Sequence, residues 1–397
     1  MSKLEKLIQQ YCPDGVEYVR LDKVANVCRG TRVVKSQLSD TGYPVYQNCL
    51  TPMGYFERSN CNAGTTFVIC GGAAGNVGYT DVDCWAADDC EFIIGSNQVI
   101  NRYIYYYLMT KQNYLLSKVR KASIPRLSPN IIKDLEIPVP PLPVQEEIVR
   151  VLDAFTELQA ELQAELQKRK QQYNFYRDNL LNFKDINRGG QEIKWMKLSD
   201  IGTFYSGLSG KTKDDFHDGN AKFISYVNIF NNPSLITDVK DRVRILEGEK
   251  QNTIQYGDLL FTGSSETPDE CGMCSVLTHH TEEKLYLNSF CFGFRFNDLS
   301  GINPEFMKFL FRSSAIRKLI CKTANGVTRF NISKKEFAKI VIPIPSLKEQ
   351  DHIASVLDKF YFLVGDLTSG LPAEMEKRRQ QYEFYRDKLL TFKRKEA

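Results

Sequence analysis

The chain has 397 residues, of which 42% are hydrophobic and 25% charged, the balance of an ordinary folded protein of two or three domains. Its first residues include an acid and no apolar stretch, and no later apolar run reaches the roughly 18 residues that a membrane span needs. Eleven cysteines, an odd number scattered through the chain, indicate reduced thiols instead of a disulfide framework. We therefore expect a cytoplasmic protein without a membrane segment.

Positive charge is concentrated in two tracts, although the net charge is only +4. Residues 102–133 contain seven Lys or Arg and no acid, and residues 308–339 contain nine with a single acid. Acid-poor basic tracts that are rich in aromatic residues fit a polyphosphate partner, whereas a solvated basic face is the alternative for either tract alone. Because the two tracts occupy equivalent places in a repeat, the pattern favours nucleic acid.

The repeat organises the whole chain. The sequence QEEIVRVLD at 145–153 returns as QDHIASVLD at 350–358, and QQYNFYRDNLLNFK at 171–184 returns almost unchanged as QQYEFYRDKLLTFK at 380–393. The stretches that precede these blocks match only faintly. The chain is thus two copies of one plan, in which a divergent globular module is followed by a conserved helical segment.

Both helical segments carry apolar residues at the alternating three-and-four spacing of a coiled-coil seam. The first would extend roughly 60 Å over about 40 residues. In the second, Gly370 and Pro372 predict a break near residues 369–372. Because an isolated amphipathic helix is unstable, we expect the two helices to pack antiparallel with a module at each end, a dumbbell with pseudo-twofold symmetry.

The repeated blocks carry a family resemblance. The sequence IPVPPLPVQ at 137–145, its copy IPIPSLKEQ at 342–350 and the two QQYxFYRDxLL blocks resemble the specificity subunits of type I restriction-modification systems, over the whole chain and in order. The resemblance implies an α/β fold with two small β-rich target recognition domains, residues 1–143 and 188–345. Two long antiparallel conserved coiled-coil helices, at 144–187 and 346–397, would separate them.

The resemblance also implies a function. The chain would be the non-catalytic subunit that reads double-stranded DNA, each recognition domain taking one half of a bipartite, asymmetric target. The helices would set the spacing and dock two copies of an adenine methyltransferase subunit, and restriction subunits would join through the complex. No cofactor is expected on this chain, because S-adenosylmethionine, and ATP with Mg²⁺ for restriction, would be used by the partners.

DNA contacts are expected in polar, glycine-containing loops of both modules, residues 29–35, 71–76 and 118–126 in the first and 206–213, 263–267 and 322–329 in the second. Base reading uses Arg or Lys for guanine and Asn or Gln for adenine, whereas phosphate contacts only position the protein. The sequence does not separate these two kinds of contact. The residues expected at DNA are Arg32, Lys35, Arg120, Lys121 and Arg126 in the first module, and Lys211, Lys213, Lys322, Asn325 and Arg329 in the second.

A second group of candidates belongs to the conserved helices. It comprises Tyr173, Tyr176, Arg177, Tyr382, Tyr385 and Arg386. The tyrosines occupy seam positions, which favours packing between the helices over contact with a partner. The arginines lie one step off the seam, so we expect them to face a partner or an acid on the other helix. Because the two copies are alike, two identical partner subunits are expected.

Two enzymatic hypotheses are weaker. Asp269 followed by Glu282, Glu283 and Lys284 has the residue order of a Mg²⁺-dependent nuclease, although so short a pattern often arises by chance. A self-sufficient nuclease is therefore kept as an alternative. A purely structural coiled-coil adaptor is the other alternative, but it would not need acid-poor basic tracts.

A zinc site is the remaining possibility for this region. Cys271 and Cys274, with His279 and His280 nearby, provide the ligand types. A closed structural site needs four well-placed ligands, which the spacing does not supply, so we expect ordinary thiols and no metal.

Overall fold

The computed structural model describes residues 2–183, 193–365 and 370–396. Its internal contacts group the chain into two units, Met1–Ala164 with Glu374–Ala397 as unit 1, and Glu165–Ala373 as unit 2. Each unit therefore holds one module together with part of both helical segments. The predicted end of the central helix, at residue 187, lies outside the described residues.

The first module precedes a 39-residue helix that begins in unit 1 and ends in unit 2. The helices up to this point are α1 Lys3–Tyr11, α2 Leu21–Val24, α3 Asn101–Thr110, α4 Gln112–Ser117, α5 Pro129–Lys133 and the long α6 Leu142–Leu180. The strands are β1 Tyr18–Arg20, β2 Ala25–Arg29, β3 Tyr43–Tyr46, β4 Tyr55–Phe56, β5 Thr65–Ile69, β6 Val77–Thr80, β7 Trp85–Ala86, β8 Cys90–Gly95 and β9 Glu136–Pro138.

The second module and the distal helices follow. Their strands are β10 Lys194–Lys197, β11 Gly202–Ser206, β12 Ala221–Ile224, β13 Arg242–Val243, β14 Thr253–Ile254, β15 Leu259–Thr262, β16 Ser264–Ser265, β17 Cys274–Val276, β18 Leu285–Leu287, β19 Cys291–Phe296, β20 Ala324–Asn325, β21 Phe330–Ile332 and β22 Val341–Ile344. Their helices are α7 Leu198–Ile201, α8 Tyr226–Asn231, α9 Pro304–Leu310, α10 Ser314–Cys321, α11 Lys334–Phe337, α12 Leu347–Gly365 and α13 Gly370–Leu389.

The two modules share the topology of their larger sheet, and the second module has a further sheet of order β16-β21-β20. The first has an antiparallel sheet of order β2-β8-β5-β6, and the second has its counterpart, β11-β19-β15-β17. A smaller sheet in each contains one parallel pair, β3 with β7 and β12 with β18. The strand before each long helix pairs with one near the start of its module, β1 with β9 and β10 with β22. The faint sequence match between the modules is thus a structural repeat.

Strand β5 shows why the first module folds around its larger sheet. All five of its residues are buried, because both faces of the sheet are covered. Val68 belongs to the core that contains Tyr103 and Ile104 of α3, whereas Phe67 and Ile69 belong to a separate cluster with the smaller sheet. A run of buried apolar residues without alternation is expected for a strand covered on two sides.

Aromatic contacts pair the long helices within each unit. In unit 2, Tyr173 contacts Tyr361 with ring centroids 6.1 Å apart, and Tyr176 stacks on Phe360 at 5.2 Å, so α6 and α12 run antiparallel. In unit 1, Phe155 of α6 lies against Tyr382 and Tyr385 of α13, at 6.4 and 5.7 Å. The prediction of β-rich modules with paired conserved helices is confirmed.

The distal segment is divided into α12 and α13. Gly370 has φ +68°, a left-handed conformation that a continuous right-handed helix does not contain. A Cβ at this position would lie 2.5 Å from the carbonyl oxygen of Phe362, so only glycine fits. The predicted break at 369–372 includes Ser369, which lies outside the described residues. Among the helices described, none is both long and apolar enough to cross a membrane.

A buried glutamine fastens each module to the start of its helix. Gln145 and Gln350, at the repeat offset of 205, are fully buried. The Gln145 Oε1 accepts from the N–H of Ile100 at 3.0 Å, and its Nε2 donates to the carbonyls of Gln98 and Pro140 at 2.8 and 2.7 Å. Gln350 repeats the pattern, accepting from the N–H of Asn303 at 2.8 Å and donating to two carbonyls. Each amide therefore fixes the angle at which its module meets its own helix.

We predict that Gln145→Ala lowers the free energy of unfolding by about 2 to 4 kcal/mol, since the substitution leaves buried polar groups unpaired and opens a cavity. Urea denaturation of the full chain measures the effect. The matched control is Gln163→Ala, because Gln163 is exposed on the same helix. Equal losses in the two variants would contradict the role assigned to the buried amide.

Candidate nucleic-acid interface

Three loops of the first module meet at residues 85–90. The Nε1 of Trp85 donates to the carbonyl of Thr31 at 2.8 Å, which holds the loop that follows β2. The N–H of Cys70 donates to the carbonyl of Asp89 at 2.7 Å and holds the loop of residues 71–76. The Nη1 of Arg126 donates to Asp89 Oδ1 at 3.0 Å. The three loops expected at DNA in this module thus lie together.

The second module brings its three candidate loops together in the same way, around residues 287–291. The N–H of Leu208 donates to the carbonyl of Leu287 at 2.7 Å, and that of Gly263 to the carbonyl of Phe290 at 2.8 Å. The Arg329 guanidinium lies over the Phe290 ring, 5.9 Å from its centroid. Both modules therefore build a candidate face from equivalent loops.

The five predicted residues of the first module all lie on this face. Arg32 and Lys35 are exposed in the loop after β2, where Lys35 begins a 3₁₀ turn, Lys35–Gln37. Arg120 and Lys121 are exposed, and Arg126 remains exposed although it is paired with Asp89. The structure thus gathers these cations, which the sequence separates by up to 94 positions.

Four of the five predicted residues of the second module are exposed, whereas the side chain of Lys211 is buried. Lys213, Lys322 and Asn325 are exposed, and Arg329 donates to Ser264 Oγ at 3.1 Å from an exposed position. The Lys211 side chain is only 6% exposed and forms an ion pair with Glu249 at 2.6 Å. This geometry suits Lys211 to holding its loop more than to contacting DNA.

Glu249 is itself held by three hydrogen bonds. Lys211 contributes most, followed by the backbone of Leu246 and the side chain of Gln251, and together they lower the pKa of Glu249 to about 2. The carboxylate therefore stays charged at neutral pH and neutralises Lys211.

A groove of about 1030 Å³ lies beside Arg329 in the second module. The rings of Tyr226 and Phe230 stack there with centroids 6.0 Å apart, and Phe290 is exposed. Two carboxylates, of Glu266 and Glu270, also line it. The groove thus combines aromatic surface with donors and acceptors, the mixture that base edges require.

The repeated tyrosines Tyr173 and Tyr382 pack between the paired helices. Burial is the main cause that raises the pKa of Tyr173, and of Tyr382, to about 12. Tyr176 and Tyr385 are exposed at one edge while they stack on Phe360 and Phe155. These contacts match the helix-packing role that the seam positions favoured.

The repeated arginines form ion pairs with acids of their own helices. Arg177 pairs with Asp178 at 3.1 Å, and Arg386 pairs with Asp387 at 2.8 Å. Each guanidinium also lies over a tyrosine of the same helix, at 5.5 Å in α6 and 5.7 Å in α13. The acid beside each arginine is thus the next residue of its own helix and not one on the other helix, and the alternative that these arginines face a partner stays a prediction.

Sequence reasoning missed two exposed phenylalanines. Phe175 and Phe384 occupy the same position of the repeated block and are 63% and 62% exposed. Each ring meets the next tyrosine edge-on, Tyr176 at 5.6 Å and Tyr385 at 5.4 Å. The available signal was a phenylalanine retained in both copies at a position outside the apolar seam.

The residues of the nuclease and zinc hypotheses do not assemble into a site. Glu283 pairs with Lys222 at 2.6 Å, while Asp269 lies in a 3₁₀ turn, Pro268–Glu270. Cys271 and Cys274 are buried free thiols. Within the stretches that the structure describes, no group of three or more His, Cys, Asp or Glu is placed to hold a metal ion.

Comparison with known proteins agrees with this geometry. A family model described as the type I restriction modification DNA specificity domain matches residues 13–169 and 191–377. The specificity subunit of the Escherichia coli type I restriction enzyme EcoR124I/EcoR124II is 33% identical, over 76% of this chain and 73% of its own. A putative type I specificity subunit from Haemophilus influenzae is 29% identical, over 98% of each chain.

Two solved structures have folds similar to that of this chain. A type I S subunit from M. genitalium has a TM-score of 0.54 at 15% identity, with 94% of this chain and 95% of that chain covered. A chain from a study of assembly and conformational transition of the type I R-M system has a TM-score of 0.57 at 16% identity, with 96% and 98% covered. The family model covers most of the chain, and the chain belongs to the family of type I restriction-modification specificity subunits.

Proposed function

We propose that this chain is the DNA-reading subunit of a type I complex in which each module recognises one half of a bipartite, asymmetric target. The observation that carries the proposal is the repeated face, on which equivalent loops bring exposed cations together in both modules. Because the side chains on the two faces differ, the two half-sites should differ. The long helix α6 would set the spacing between them.

Catalysis belongs to partner subunits in this proposal. Two adenine methyltransferase subunits would dock on the conserved helices and use S-adenosylmethionine, and restriction subunits would use ATP and Mg²⁺. This chain would bind none of these cofactors itself. Its role would be to place the methyltransferases on a chosen sequence.

Methylation sequencing of genomic DNA tests the function directly. We expect cells with the intact gene to carry a gapped, asymmetric motif with methyladenine in both halves, and deletion of the gene to abolish it. The control is a strain in which the deleted gene is restored. An unchanged motif, in cells that contain an active partner methyltransferase, would contradict the proposal.

We expect the neighbouring lysines to have different roles, Lys213 in DNA binding and Lys211 in stability. We predict that Lys213→Ala weakens DNA binding by the assembled complex and reduces the slope of log K against log salt by about 0.9, as loss of one phosphate contact does. Lys211→Ala should instead destabilise the fold, since it removes the partner of Glu249. Salt titrations of DNA binding measure the first effect, and equal slopes for Lys213→Ala and the parent chain would contradict it.

The Lys211 effect has a defined pH dependence. The folded-state pKa of Glu249 lies near 2, below its usual 4.5, so the carboxylate stabilises the fold above about pH 4.5 and this stabilisation is lost as pH falls toward 2. The stability difference between the parent chain and Lys211→Ala should therefore shrink between pH 5 and pH 3. Thermal melts across this range measure it, and a difference independent of pH would exclude the ion pair as the cause.

Phe175 and Phe384 offer two equal anchors for two copies of one partner. We predict that Phe175→Ala or Phe384→Ala weakens one methyltransferase site by about 2 kcal/mol, roughly thirtyfold, while the other site is retained. Native mass spectrometry of the complex at limiting concentration counts the bound copies. Phe362→Ala is the matched control, because Phe362 is exposed on a helix but is not part of the repeated block. Full occupancy in all three variants would contradict the assignment.

A further inference from the structure

One element of the repeat is part of both candidate faces. Arg120 and Arg126 face each other across an antiparallel bridge, with N–H to carbonyl distances of 2.8 and 3.2 Å. In the second module Asn325 and Asn331 pair in the same way, at the offset of 205 that relates the conserved blocks. Residues 120–126 and 325–331 are therefore equivalent hairpins, each with five residues between its paired ends.

The base of each hairpin is fixed to the module beneath it. The N–H of Leu127 donates to the carbonyl of Cys70 at 2.9 Å, and that of Ile332, its equivalent, to the carbonyl of Gly263 at 3.0 Å. In the first hairpin the Pro125 carbonyl also accepts from the N–H of Gly72 at 3.1 Å. A hairpin that is anchored at its base presents its tip in a defined position.

The tips expose branched aliphatic side chains to solvent. Ile124 is 55% exposed in the first hairpin and Val327 is 91% exposed in the second. A single exposed aliphatic residue is ordinary on a protein surface. Here one occurs on the same element in both modules, beside side chains that can read base edges, namely Arg120 and Lys121 in one hairpin and Asn325 and Arg329 in the other.

The duplex feature that matches this combination lies in the major groove. That groove admits a two-stranded ribbon, and its base edges offer acceptors on guanine for Arg, a donor and acceptor pair on adenine for Asn, and one apolar group, the thymine C5-methyl. The second hairpin carries all three complements, with Arg329 and Val327 in its tip and Asn325 at its paired base. An aliphatic side chain would gain little from the charged phosphate backbone.

We propose that the hairpins 120–126 and 325–331 enter the major grooves of the two half-sites, with Ile124 and Val327 packed against thymine methyl groups. This inference rests on the proposed function and names the element and the base feature that each module uses. Ile124 is the fourth of the five tip residues in its hairpin, whereas Val327 is the second. The thymine therefore occupies a different place relative to the hairpin in each half-site.

Gly326 gives the second tip its shape. Its φ of +148° suits glycine, and a Cβ at this position would lie 2.0 Å from the carbonyl oxygen of Arg329. The first hairpin has Lys121 at the equivalent place. The two tips thus differ in backbone as well as in side chains. This difference would allow the two hairpins to recognise different bases in the two half-sites.

Replacing single thymines by deoxyuridine removes the methyl group alone and tests the contact. The assembled complex, with its methyltransferase subunits, is titrated with duplexes that carry its methylation motif and one substitution at a time in the second half-site. For the parent chain we expect one position at which deoxyuridine weakens binding by about fourfold, the effect of one buried methyl group. Val327→Ala should weaken binding to the normal duplex by a similar factor and be insensitive to deoxyuridine at that position.

The controls separate this contact from other causes. Val341→Ala makes the same change on β22, at an exposed position outside both the hairpin and the groove beside Arg329, and should keep the sensitivity of the parent chain. Ile124→Ala should show the same coupling in the first half-site and none in the second.

Several outcomes would overturn the inference. If Val327→Ala and every deoxyuridine act independently while the complex still methylates its bipartite motif, the hairpin contact is absent and the proposed function stands. A second half-site without any A·T pair, or a Val327→Ala complex that loses methyltransferase subunits instead of thymine sensitivity, would lead to the same conclusion. A parent complex that methylates no bipartite motif would overturn both proposals.

Discussion

The buried amide of Gln145, repeated at Gln350, is the constraint on which the recognition faces depend. An amide that is closed off from water cannot leave its hydrogen bonds unmade without a substantial cost, so it admits one arrangement of the groups around it. In both units those groups belong to the module on one side and to the entry of the long helix on the other. Sequence reading needs this rigidity, because base contacts are lost when a side chain is displaced by about an ångström.

A common backbone frame with unlike side chains would allow one chain to read two different half-sites, as we propose. The segment behind each hairpin carries Asp89 in the first module and Phe290 in the second, so a neighbouring arginine is held by a carboxylate in one and by an aromatic ring in the other. Further inside, Tyr106 and Lys308 occupy equivalent helix positions and bind the repeated acids Asp153 and Asp358. The side chains of the two candidate faces therefore differ, while the backbone pairing beneath them is the same in both modules.

The sequence predicted the features that depend on periodic apolar spacing or on residues close together in the chain. Helix α6, the packing of Tyr173 and the interruption signalled by Gly370 follow from apolar spacing and from backbone chemistry within a few residues. The sheets did not follow, because their strand pairings join residues that are far apart and the modules match only faintly. The polar, glycine-containing loop of Lys211 predicts a DNA contact, whereas its partner Glu249 lies 38 positions away and no local pattern predicts their ion pair. Phe175 does not follow from the apolar seam because it lies outside it, and only its presence in both copies of the block distinguishes it.

The modest net charge of +4 bears on how such a chain binds DNA. Non-specific attraction grows with the number of phosphates neutralised, and several cations on the faces already have acidic neighbours, among them Arg126 and Lys211. A guanidinium that is held by a carboxylate retains other N–H donors, and less side-chain freedom is lost when those donors meet a base. Weak general attraction together with pre-positioned donors favours a subunit that discriminates between sequences more than it accumulates on DNA. In the complex proposed above, most of the affinity would then come from the partner subunits.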